Sequence, residues 1–466
     1  MSSENLAIVV LAAGQGKRMM SDLPKVLHPV LGEPMIGHVL RQCEALKPAR
    51  VVVVTGHGRD QVEAWIETRT WSCPVQFVEQ VAPRGTGHAM QCAMELLDGC
   101  DEVLVLYGDV PLLRPSTLAS LLDARASSPV SVLIATVPDT ARYGRVVVDQ
   151  NGRIERIVEH ADATEEQRQI RQINAGMMAI DIDFARRALT QLEGNNAQGE
   201  LYLTDLLAIA RDEGSGGVPL EVQDWTEIQG INTRAECAAA TDTLRRRVND
   251  EHMSVGVTLL APDRTWIEAS VSIQRDATIA ADVELRGATQ VAANAYIDRG
   301  CVLRDVEVGA SALVKPYTVA TESKVGEHCQ VGPFAHLRPG TVLEAKVKVG
   351  NFVETKKAVL HEGAKASHLS YIGDADIGAG SNIGAGTITC NYDGTNKYRT
   401  VLGEGVFIGS DTQLVAPVTL GEGAYVGAGS TITGDVPAGA LALSRTEQRN
   451  IEGWVARKQA KKDSNK

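Results

Sequence analysis

The chain has 466 residues, a formal net charge of −12 at pH 7, 4% aromatic residues and 44 glycines. This length exceeds what a single hydrophobic core usually supports, so we expect two domains. The acidic balance argues against a nucleic-acid-binding protein, because such domains usually carry a basic stripe. A pocket for a phosphorylated small molecule can still be locally basic.

Eight cysteines are spread along the sequence without a C-x-x-C pair or a spacing typical of a zinc site. We therefore expect reduced thiols in a cytoplasmic protein. The apolar run at residues 6–13 is too short for a membrane span or a signal segment, and the N-terminus lacks a basic region. We expect neither secretion nor a membrane partner.

The first half alternates apolar strands with helices. The pattern predicts strands at residues 6–11, 51–54, 75–78, 103–106 and 130–137, and helices at 36–46, 61–68, 86–97 and 115–126. Continuous apolar strands separated by helices are typical of a doubly wound α/β domain with a Rossmann-like sheet. Ligands of such sheets bind beyond the carboxyl ends of the strands.

A glycine-rich loop, Gly14-Gln15-Gly16, follows the first predicted strand. It fits neither the dinucleotide-binding fingerprint nor the P-loop, because both need further residues that this loop lacks. Its backbone N–H groups, followed by Arg18 and Lys25, suit a triphosphate. A tight turn followed by solvated cations would give the same pattern, and the loop alone does not separate the two interpretations.

Asp109 follows the strand predicted at 103–106, so its carboxylate should lie at the edge of the sheet where ligands bind. A carboxylate at that place can hold a metal ion beside nucleotide phosphates. It can also cap a following helix. The neighbouring Tyr107-Gly108 and Pro111 favour the functional interpretation.

Residues 233–253 contain neither Gly nor Pro, and this composition predicts a rigid connecting helix. The predicted organisation is a first domain at 1–232, this helix at 233–253, a second domain at 254–452 and a mobile tail at 453–466.

In the second half an aliphatic residue returns at every sixth position. The positions are Ile267, Ile273, Ile279, Leu285, Val291, Ile297 and Leu303, then Val325, Val331, Leu337, Leu343 and Val349, then Ile377 and Ile383, then Leu402, Ile408, Leu414, Leu420, Val426 and Ile432. A period of six indicates short strands stacked coil upon coil in a parallel β-helix. Glycine often follows the aliphatic position, as at Gly350, which suits corners where coils come close. We expect about nine coils and a length of about 45 Å.

The ladder is interrupted at residues 305–324, 356–372 and 389–400. Since a solenoid can insert loops without disturbing its stack, such breaks are candidate sites. The residues of the first break do not suggest a catalytic or binding role. The third break is a polar, turn-rich loop. The second contains two histidines, His361 and His368. Either has the residue type of a base for acyl transfer, because histidine titrates near neutrality.

Several strings in both halves resemble one enzyme family. They are Leu11-Ala12-Ala13-Gly14-x-Gly16-x-Arg18-Met19 with Pro24-Lys25, Gln80, Gly85-Thr86-Gly87-His88-Ala89, Tyr107-Gly108-Asp109, Tyr143-Gly144-Arg145, Glu159-His160, Asn174-Ala175-Gly176, Tyr202-Leu203-Thr204-Asp205, Gly230-Ile231-Asn232, His368-Leu369-Ser370-Tyr371, and the run from Asn382 to Gly394. Over its whole length the chain resembles the bacterial bifunctional N-acetylglucosamine-1-phosphate uridyltransferases and glucosamine-1-phosphate N-acetyltransferases. The resemblance implies a left-handed β-helix of hexapeptide repeats after the nucleotidyltransferase domain, and UDP-N-acetylglucosamine as the product.

For the first domain, the resemblance implies transfer of UMP from UTP to N-acetylglucosamine-1-phosphate with release of pyrophosphate. The residues it implies for UTP and UDP-sugar binding are Leu11, Ala12, Ala13, Gly14, Lys25, Gln80, Gly85, Thr86, Tyr107, Gly108, Asp109, Gly144, Glu159, Asn174 and Asn232. It also implies one Mg²⁺ held by Asp109 and Asn232, with Arg18 and Lys25 as catalytic cations. His88 and His160 are interpreted as structural. Pro83-Arg84 stands where the family commonly has Gln-Leu, and this difference puts one implied contact with the uracil base in question.

For the second domain, the resemblance implies transfer of an acetyl group from acetyl-coenzyme A to glucosamine-1-phosphate, with His368 as the catalytic base. The residues implied for glucosamine-1-phosphate are Arg338, Lys356, Tyr371, Asn382 and Lys397, and those for acetyl-coenzyme A are Ala385, Asn391, Tyr392, Ser410, Ala428 and Arg445. The resemblance further implies a homotrimer whose acetyltransferase sites lie between neighbouring β-helices.

The sequence also allows two other interpretations. The β-helix could serve only for oligomerisation or regulation of a sugar-1-phosphate nucleotidyltransferase, as in relatives that make ADP-glucose, or the whole chain could be a non-catalytic scaffold. The first would not need His368 together with Arg338, Lys356 and Asn391-Tyr392. The second would not need Arg18, Lys25, Asp109 and Asn232 together.

Overall fold

The computed structural model describes residues 5–137, 140, 143–196 and 198–464. The chain divides into two compact units, Met1–Arg245 and Arg246–Lys466. Within the described ranges, no helix is both long enough and apolar enough to cross a membrane.

The first unit is built on a mixed nine-stranded sheet and a separate two-stranded one. Its strands are β1 Leu6–Leu11, β2 Pro29–Val30, β3 Glu33–Pro34, β4 Arg50–Thr55, β5 Val75–Glu79, β6 Glu102–Tyr107, β7 Val130–Thr136, β8 Arg145–Val148, β9 Ile154–Val158, β10 Gln172–Asp181 and β11 Val218–Glu221. Its helices are α1 Met35–Ala45, α2 Arg59–Glu67, α3 Thr86–Ala93, α4 Pro115–Ala124, α5 Glu165–Arg168, α6 Ile182–Ala188 and α7 Leu206–Asp212. Short 3₁₀ turns lie at Lys17–Met19, Lys25–Leu27, Met94–Leu97, Arg125–Ser127, Leu189–Gln191, Leu203–Asp205 and Trp225–Ile228.

Strand β1 lies inside the large sheet, whose order is β11, β7, β10, β6, β1, β4 and β5. It pairs in parallel with both β4 and β6. Its alternate residues reach opposite faces, because Ile8 and Val10 belong to one core cluster whereas Ala7 and Val9 belong to the other. Helices cover both faces, as the continuous apolar strand predicted.

The predicted α/β class is confirmed, but the sheet is not wholly parallel. Strand β10 pairs antiparallel with β6 and β7, and the β8–β9 hairpin joins the same sheet. These strands were missed because polar residues and a register shift between Asn174 and Met178 interrupt the apolar run of β10. A strand with such an irregularity lacks the uninterrupted pattern that identified the others.

The second unit is one 24-stranded parallel sheet wound into coils. Its strands are β12 Thr258–Leu259, β13 Trp266–Ile267, β14 Ser272–Ile273, β15 Thr278–Ile279, β16 Glu284–Arg286, β17 Gln290–Val291, β18 Tyr296–Ile297, β19 Val302–Val308, β20 Leu313–Val314, β21 Val319–Val325, β22 Gln330–Val331, β23 His336–Leu337, β24 Val342–Leu343, β25 Lys348–Leu360, β26 Lys365–Ile377, β27 Asn382–Ile383, β28 Ile388–Cys390, β29 Thr400–Leu402, β30 Phe407–Ile408, β31 Gln413–Val415, β32 Val418–Leu420, β33 Tyr425–Val426, β34 Thr431–Ile432 and β35 Leu441–Ala442. A 3₁₀ turn lies at Pro262–Arg264.

The predicted six-residue ladder forms the core of these coils. Ile267 pairs with Leu285, which in turn pairs with Leu303, so one coil takes eighteen residues there. All three side chains are buried. A Cβ atom at Gly350 would lie 1.8 Å from the backbone oxygen of Ser367, so this corner requires glycine. The hexapeptide β-helix is therefore confirmed.

The first two ladder breaks are not loops, and that part of the prediction is wrong. Leu303 pairs with Ala320 and Val349 pairs with Ala366, seventeen positions along in each case. Losing one residue from a coil shifts the phase of the pattern, and neighbouring strands then merge across the corner. Strands β25 and β26 consequently run for 13 residues each.

The third break is a true insertion. Ile377 pairs with Leu402, a step of 25 positions. The additional residues form a short hairpin in which Tyr392 bridges to Lys397 in antiparallel fashion. The polar, turn-rich composition of residues 389–400 predicted this loop.

Two helices complete the chain. Helix α8, Arg234–Ser254, runs across the division between the two units, where the sequence predicted a connecting helix at 233–253. Helix α9, Trp454–Asp463, occupies most of the predicted tail and has no buried residue. The mobility of that tail stays a prediction, and its residues 465–466 lie outside the described part of the chain.

Candidate active sites in the two units

A cavity of about 250 Å³ opens beyond the carboxyl ends of β1 and β6 in the first unit. Its lining consists of Leu11, Ala12, Ala13, Gly14, Lys25, Val26, Gln80, Pro83, Gly85, Thr86, Ala89, Tyr107, Asp109 and Glu200. Ten of the residues predicted for UTP and UDP-sugar binding lie in this lining: Leu11, Ala12, Ala13, Gly14, Lys25, Gln80, Gly85, Thr86, Tyr107 and Asp109. The cavity is therefore at the edge of the sheet where the sequence placed it.

The glycine-rich loop is fixed to the strands on either side of β1. The N–H of Ala12 donates to the carbonyl of Val54 at 2.9 Å, and the N–H of Gly108 donates to the carbonyl of Leu11 at 2.9 Å. Gly16 has a φ of 60°, and a Cβ atom there would lie 2.5 Å from the Cβ of Lys25. Glycine at this position thus lets the Lys25 segment pack against the loop.

Lys25 binds the two side chains predicted to hold a metal. Its Nζ donates to the carboxylate of Asp109 and, at 2.6 Å, to Oδ1 of Asn232. The N–H of Ile231 donates to the carbonyl of Asp109 at 3.0 Å, and this bond brings the Asn232 segment to the end of β6. The side chain of Lys25 is only 11% exposed, so its charge is poorly screened by water.

The same oxygen pair fits a magnesium ion in its chemistry. Oδ1 of Asn232 and the Asp109 carboxylate converge on one positive charge, the ammonium of Lys25. Magnesium usually takes one or two protein oxygens and completes its shell with substrate phosphates and water. Over the described residues, no cluster of three or more His, Cys, Asp and Glu side chains could hold a metal without such help.

Gln80 closes one end of the cavity. It is buried, and its Nε2 donates to the carbonyl of Gly85 at 2.9 Å and lies 3.1 Å from Nδ1 of His88. Burial, and then the charge of Arg84, lower the pKa of His88, so its neutral ring can accept that bond. These contacts support the structural interpretation of His88. Pro83, for which the sequence predicted an effect on one base contact, lines the cavity directly.

The residues predicted for the sugar lie together near Tyr107. Asn174 donates from its backbone N–H to the carbonyl of Gly144 at 2.9 Å. Burial raises the pKa of Tyr107, and the charges of Asp109 and Glu159 raise it further. Tyr107 is therefore within electrostatic reach of both the predicted metal ligand and the predicted sugar ligand.

The structure differs from the prediction for the first site at Arg18 and Glu200. Arg18 is exposed on the 3₁₀ turn after the glycine loop and is not part of the cavity lining, unlike Lys25. Glu200 lines the cavity but was not predicted, because its position depends on a long-range contact. The N–H of Leu201 donates to the carbonyl of Arg84 at 2.7 Å.

In the second unit, three cations converge where β25 and the inserted hairpin meet. The charge of Lys397, and then that of Arg338, lower the pKa of Lys356. Arg338 also bonds Glu354, with Nη1 2.7 Å from Oε1. Three neighbouring cations of this kind are suited to an anion with more than one negative charge.

His368 lies on β26 in register with Asn351 of β25, and its Nδ1 is 3.2 Å from Oδ1 of Asn351. Tyr371 follows on the same strand and pairs with Glu354, the partner of Arg338. The predicted base, the predicted sugar ligand Tyr371 and the cations therefore share two neighbouring strands. Asn351 was not predicted, because no sequence signal separates it from other polar residues.

The hairpin inserted after β28 is tied to β26 at both of its ends. Nδ2 of Asn391 donates to Oδ2 of Asp374 at 2.5 Å, and Nη2 of Arg399 donates to Oδ2 of Asp376 at 2.6 Å. These two carboxylates are separated by one residue on β26, and together they hold the hairpin that carries Lys397.

Four of the six residues predicted for acetyl-coenzyme A, Ala385, Ser410, Ala428 and Arg445, follow one another in a column along successive coils, whereas Asn391 and Tyr392 lie on the hairpin. The N–H of Gly386 donates to the carbonyl of Leu369, that of Asp411 to Ala385, and that of Gly429 to Ser410. At the end of the column, Nη1 of Arg445 donates to the carbonyl of Ala428 at 2.9 Å. Asn382 begins β27, beside this column. The column starts next to His368, so an extended ligand lying along it would have one end at the base.

Comparison with known proteins matches both units. The family described as MobA-like NTP transferase domain matches residues 8–193, and the family described as Bacterial transferase hexapeptide (six repeats) matches residues 399–434. The Bifunctional protein GlmU of Sorangium cellulosum is 49% identical over 98% of this chain and 97% of its own length.

Proteins of the same name from other organisms have a similar sequence identity to this chain. That of Alkalilimnicola ehrlichii is 47% identical over 96% of both chains, and that of Stutzerimonas stutzeri is 48% identical over 97% of this chain and 98% of its own. A structure of UDP-glucose pyrophosphorylase complexed with UDP-glucose superposes with a TM-score of 0.43 and 17% identity, covering 52% of this chain and 98% of that one.

Proposed function

The chain belongs to the family of bifunctional GlmU proteins, enzymes with a uridyltransferase and an acetyltransferase activity, and we propose that each activity resides in one of its two units. The first unit joins UMP from UTP to N-acetylglucosamine-1-phosphate and releases pyrophosphate. The second unit transfers acetyl from acetyl-coenzyme A to glucosamine-1-phosphate and so makes the sugar that the first unit uses.

The uridyltransferase site is the cavity beyond β1 and β6. Gln80, Gly85 and Thr86 face the uridine, while the sugar lies against Gly144, Glu159 and Asn174. An oxygen of the sugar phosphate attacks the α-phosphorus of UTP, and Lys25 neutralises charge on the phosphates. A magnesium ion held by Asp109 and Asn232 would neutralise further charge there. Arg18, on the exposed turn, reaches the outer phosphates.

The observation that carries this assignment is the shared contact of Lys25 with Asp109 and Asn232. The test is pyrophosphate release from UTP and N-acetylglucosamine-1-phosphate, measured against magnesium concentration for wild type and Asn232→Ala. Loss of one oxygen ligand should raise the magnesium concentration for half-maximal rate by about tenfold or more. An unchanged magnesium dependence would contradict the assignment of Asn232.

The acetyltransferase site lies where β25, β26 and the hairpin meet. Arg338, Lys356 and Lys397 hold the phosphate of glucosamine-1-phosphate, and Tyr371 and Asn382 contact the sugar. Acetyl-coenzyme A lies along the column of Ala385, Ser410 and Ala428, with Arg445 at its far end and Asn391-Tyr392 of the hairpin over it. His368 removes a proton from the 2-amino group.

The convergence of Lys397 and Arg338 on Lys356 carries this second assignment, because a β-helix used only for oligomerisation would not need such a cluster. Lys356→Ala should raise the KM for glucosamine-1-phosphate by about tenfold or more, and the KM for acetyl-coenzyme A should stay near that of wild type. Equal changes in both constants, or none, would contradict a phosphate-binding role.

We also propose a cytoplasmic homotrimer that acts on small molecules, as the family resemblance implies. An exposed aromatic column supports the oligomer: the rings of Tyr317 and Phe334 stack at 5.2 Å between centroids, and those of Phe334 and Phe352 at 5.7 Å. All three side chains are about half exposed, at 47%, 50% and 58%. Contiguous exposed rings of this kind are typical of surfaces that pack against another chain.

A further inference from the structure

We propose that Asn351 is a positioning residue for the acetyltransferase reaction and that it sets the tautomer in which His368 acts as the base. The inference rests on the proposed acetyltransferase site and deepens it. It starts from one contact, in which Nδ1 of His368 lies 3.2 Å from Oδ1 of Asn351. Asn351 is half-buried, whereas His368 is exposed.

The chemistry of the contact decides the tautomer. In the orientation that the structure gives the Asn351 amide, its oxygen faces Nδ1 of His368. An amide oxygen has lone pairs and no hydrogen, so with this orientation the hydrogen of the bond is on Nδ1 of the imidazole. A neutral imidazole carries only one hydrogen, and Nε2 is then left with its lone pair free. A ring nitrogen with a free lone pair is what proton removal requires.

The backbone places the two side chains in register. Asn351 and His368 are direct partners in the parallel pairing of β25 with β26. Each is followed by an exposed apolar residue in the left-handed region, Phe352 with a φ of 56° and Leu369 with a φ of 29°. Because the two residues are paired in register and each corner has a positive φ, their side chains extend from equivalent positions of successive coils. The contact is therefore built by the repeat and does not depend on a flexible loop.

The group transfer defines what His368 must do. The amino nitrogen of the sugar forms a bond to the acetyl carbonyl carbon, and the carbon–sulfur bond of the thioester breaks. The proton lost by the nitrogen passes to Nε2 of His368 and from there to the departing thiolate of coenzyme A. If the hydrogen were on Nε2 at the start, the ring could not accept this proton at the side facing the amine.

The test compares Asn351→Ala with Asn351→Asp in the full chain. Alanine removes the acceptor, so kcat for thiol release from acetyl-coenzyme A should fall by about tenfold while both KM values stay near those of wild type. Aspartate keeps an oxygen acceptor, so kcat near its pH optimum should stay within about threefold of wild type. Its negative charge favours the protonated ring, so the acid limb of the pH–rate profile should move to higher pH.

Controls separate this inference from a general loss of structure and from the proposed function itself. Uridyltransferase activity should be unchanged in both variants, and Asn294→Gly should retain both activities because Asn294 already has a φ of 59°. Two results would overturn the inference: an unchanged kcat for Asn351→Ala, or an Asn351→Asp variant as slow as the alanine one. If His368→Ala keeps full acetyltransferase activity, the proposed site fails instead.

Discussion

At the scale of single residues, Lys25 contributes both to the proposed chemistry of the first unit and to the contacts that bring Asp109 and Asn232 together. Sequence position favoured a functional role for Asp109, which follows a strand at the ligand-binding edge, but left Lys25 open between a phosphate ligand and a solvated cation. The contact between Lys25 and Asn232 could not be predicted, because it joins residues 207 positions apart. Such a pair is created by tertiary folding and leaves no local pattern.

Replacing Lys25 should separate the two activities. Lys25→Ala should lower kcat/KM for uridyl transfer by about 100-fold, because a poorly screened charge beside the reacting phosphates is lost. Acetyltransferase activity should stay at the wild-type value. Lys17→Ala is the matched control, since Lys17 is exposed on the neighbouring turn and does not line the cavity. If both lysine variants behave alike, the special role of Lys25 is wrong.

Glu159 should lower the free energy of unfolding of the first unit at neutral pH while contributing to substrate binding. Its burial raises the pKa of its carboxyl group, and the charges of Asp162 and Asp205 raise it further. A carboxyl group with a raised folded-state pKa favours folding below its ordinary pKa of 4.5, and this advantage is lost as the pH rises through the raised value. Glu159→Gln should therefore increase the free energy of unfolding of the first unit at pH 7 and change it little at pH 4.

The same Glu159→Gln variant should have a higher KM for N-acetylglucosamine-1-phosphate, by about tenfold, because a carboxylate accepts stronger hydrogen bonds than an amide. Denaturant unfolding at the two pH values and a substrate titration measure the two effects. A variant that is no more stable at pH 7 than wild type would contradict the burial argument.

At the scale of elements, the ladder was predictable and its interruptions only partly so. The six-residue period identified the β-helix because every coil repeats the same buried positions. The break at 356–372 was misread as a loop, since a phase shift of one residue and a loop both remove the pattern. The geometry of β25 and β26 that places Asn351 beside His368 follows from that shift.

Corner glycines should be sensitive to a single methyl group. Gly350→Ala should destabilise the second unit by about 3 kcal/mol, because its Cβ would lie 1.8 Å from the backbone oxygen of Ser367 and the backbone must move. Gly434→Ala is the control, since a Cβ there has nothing within 4 Å. Urea unfolding of both variants measures the difference. Equal midpoints would show that the corner at Gly350 is not closely packed.

The hairpin carrying Lys397 should depend on a charge network at its base. Partial burial alone would lower the pKa of His361, but hydrogen bonds to Asp376 and Glu344 outweigh it and raise the pKa above 6.5. The stabilising contribution of His361 is therefore complete below pH 6.5 and is lost as the pH rises through the raised value. Nε2 of His361 lies 2.8 Å from Asp376, which also binds Arg399.

Asp376→Asn should weaken this network and raise the KM for glucosamine-1-phosphate by about threefold, an effect of the size expected for a partly exposed ion pair. Asp298→Asn removes a carboxylate elsewhere in the second unit and should leave that KM unchanged. Substrate titrations at pH 6 and pH 8 measure both variants. A KM for Asp376→Asn equal to that of wild type at both pH values would contradict the anchoring role.

At the scale of the whole molecule, the two activities of the family were predicted from strings that occur in both halves of the chain. The proposed trimer could not be derived from periodicity or composition, since neither specifies which outer face of a β-helix is covered. The exposed column of Tyr317, Phe334 and Phe352 supplies a surface to test.

Charges on that column should disrupt the oligomer. Phe334→Glu combined with Phe352→Glu places two like charges where rings stack at 5.7 Å, so sedimentation should detect smaller species than for wild type. The chain mass is 49.8 kDa, which makes monomer and trimer easy to separate. A trimer that survives both substitutions would place the interface elsewhere.

The most direct test of the central claim, two reactions at two separate sites, is a crossed assay of Asp109→Asn and His368→Ala. Each variant is measured for pyrophosphate release from UTP with N-acetylglucosamine-1-phosphate, and for thiol release from acetyl-coenzyme A with glucosamine-1-phosphate. We predict that Asp109→Asn loses at least about 100-fold of the first rate and keeps the second, and that His368→Ala does the reverse. Loss of both activities from either substitution, or the absence of either reaction in wild type, would contradict the account.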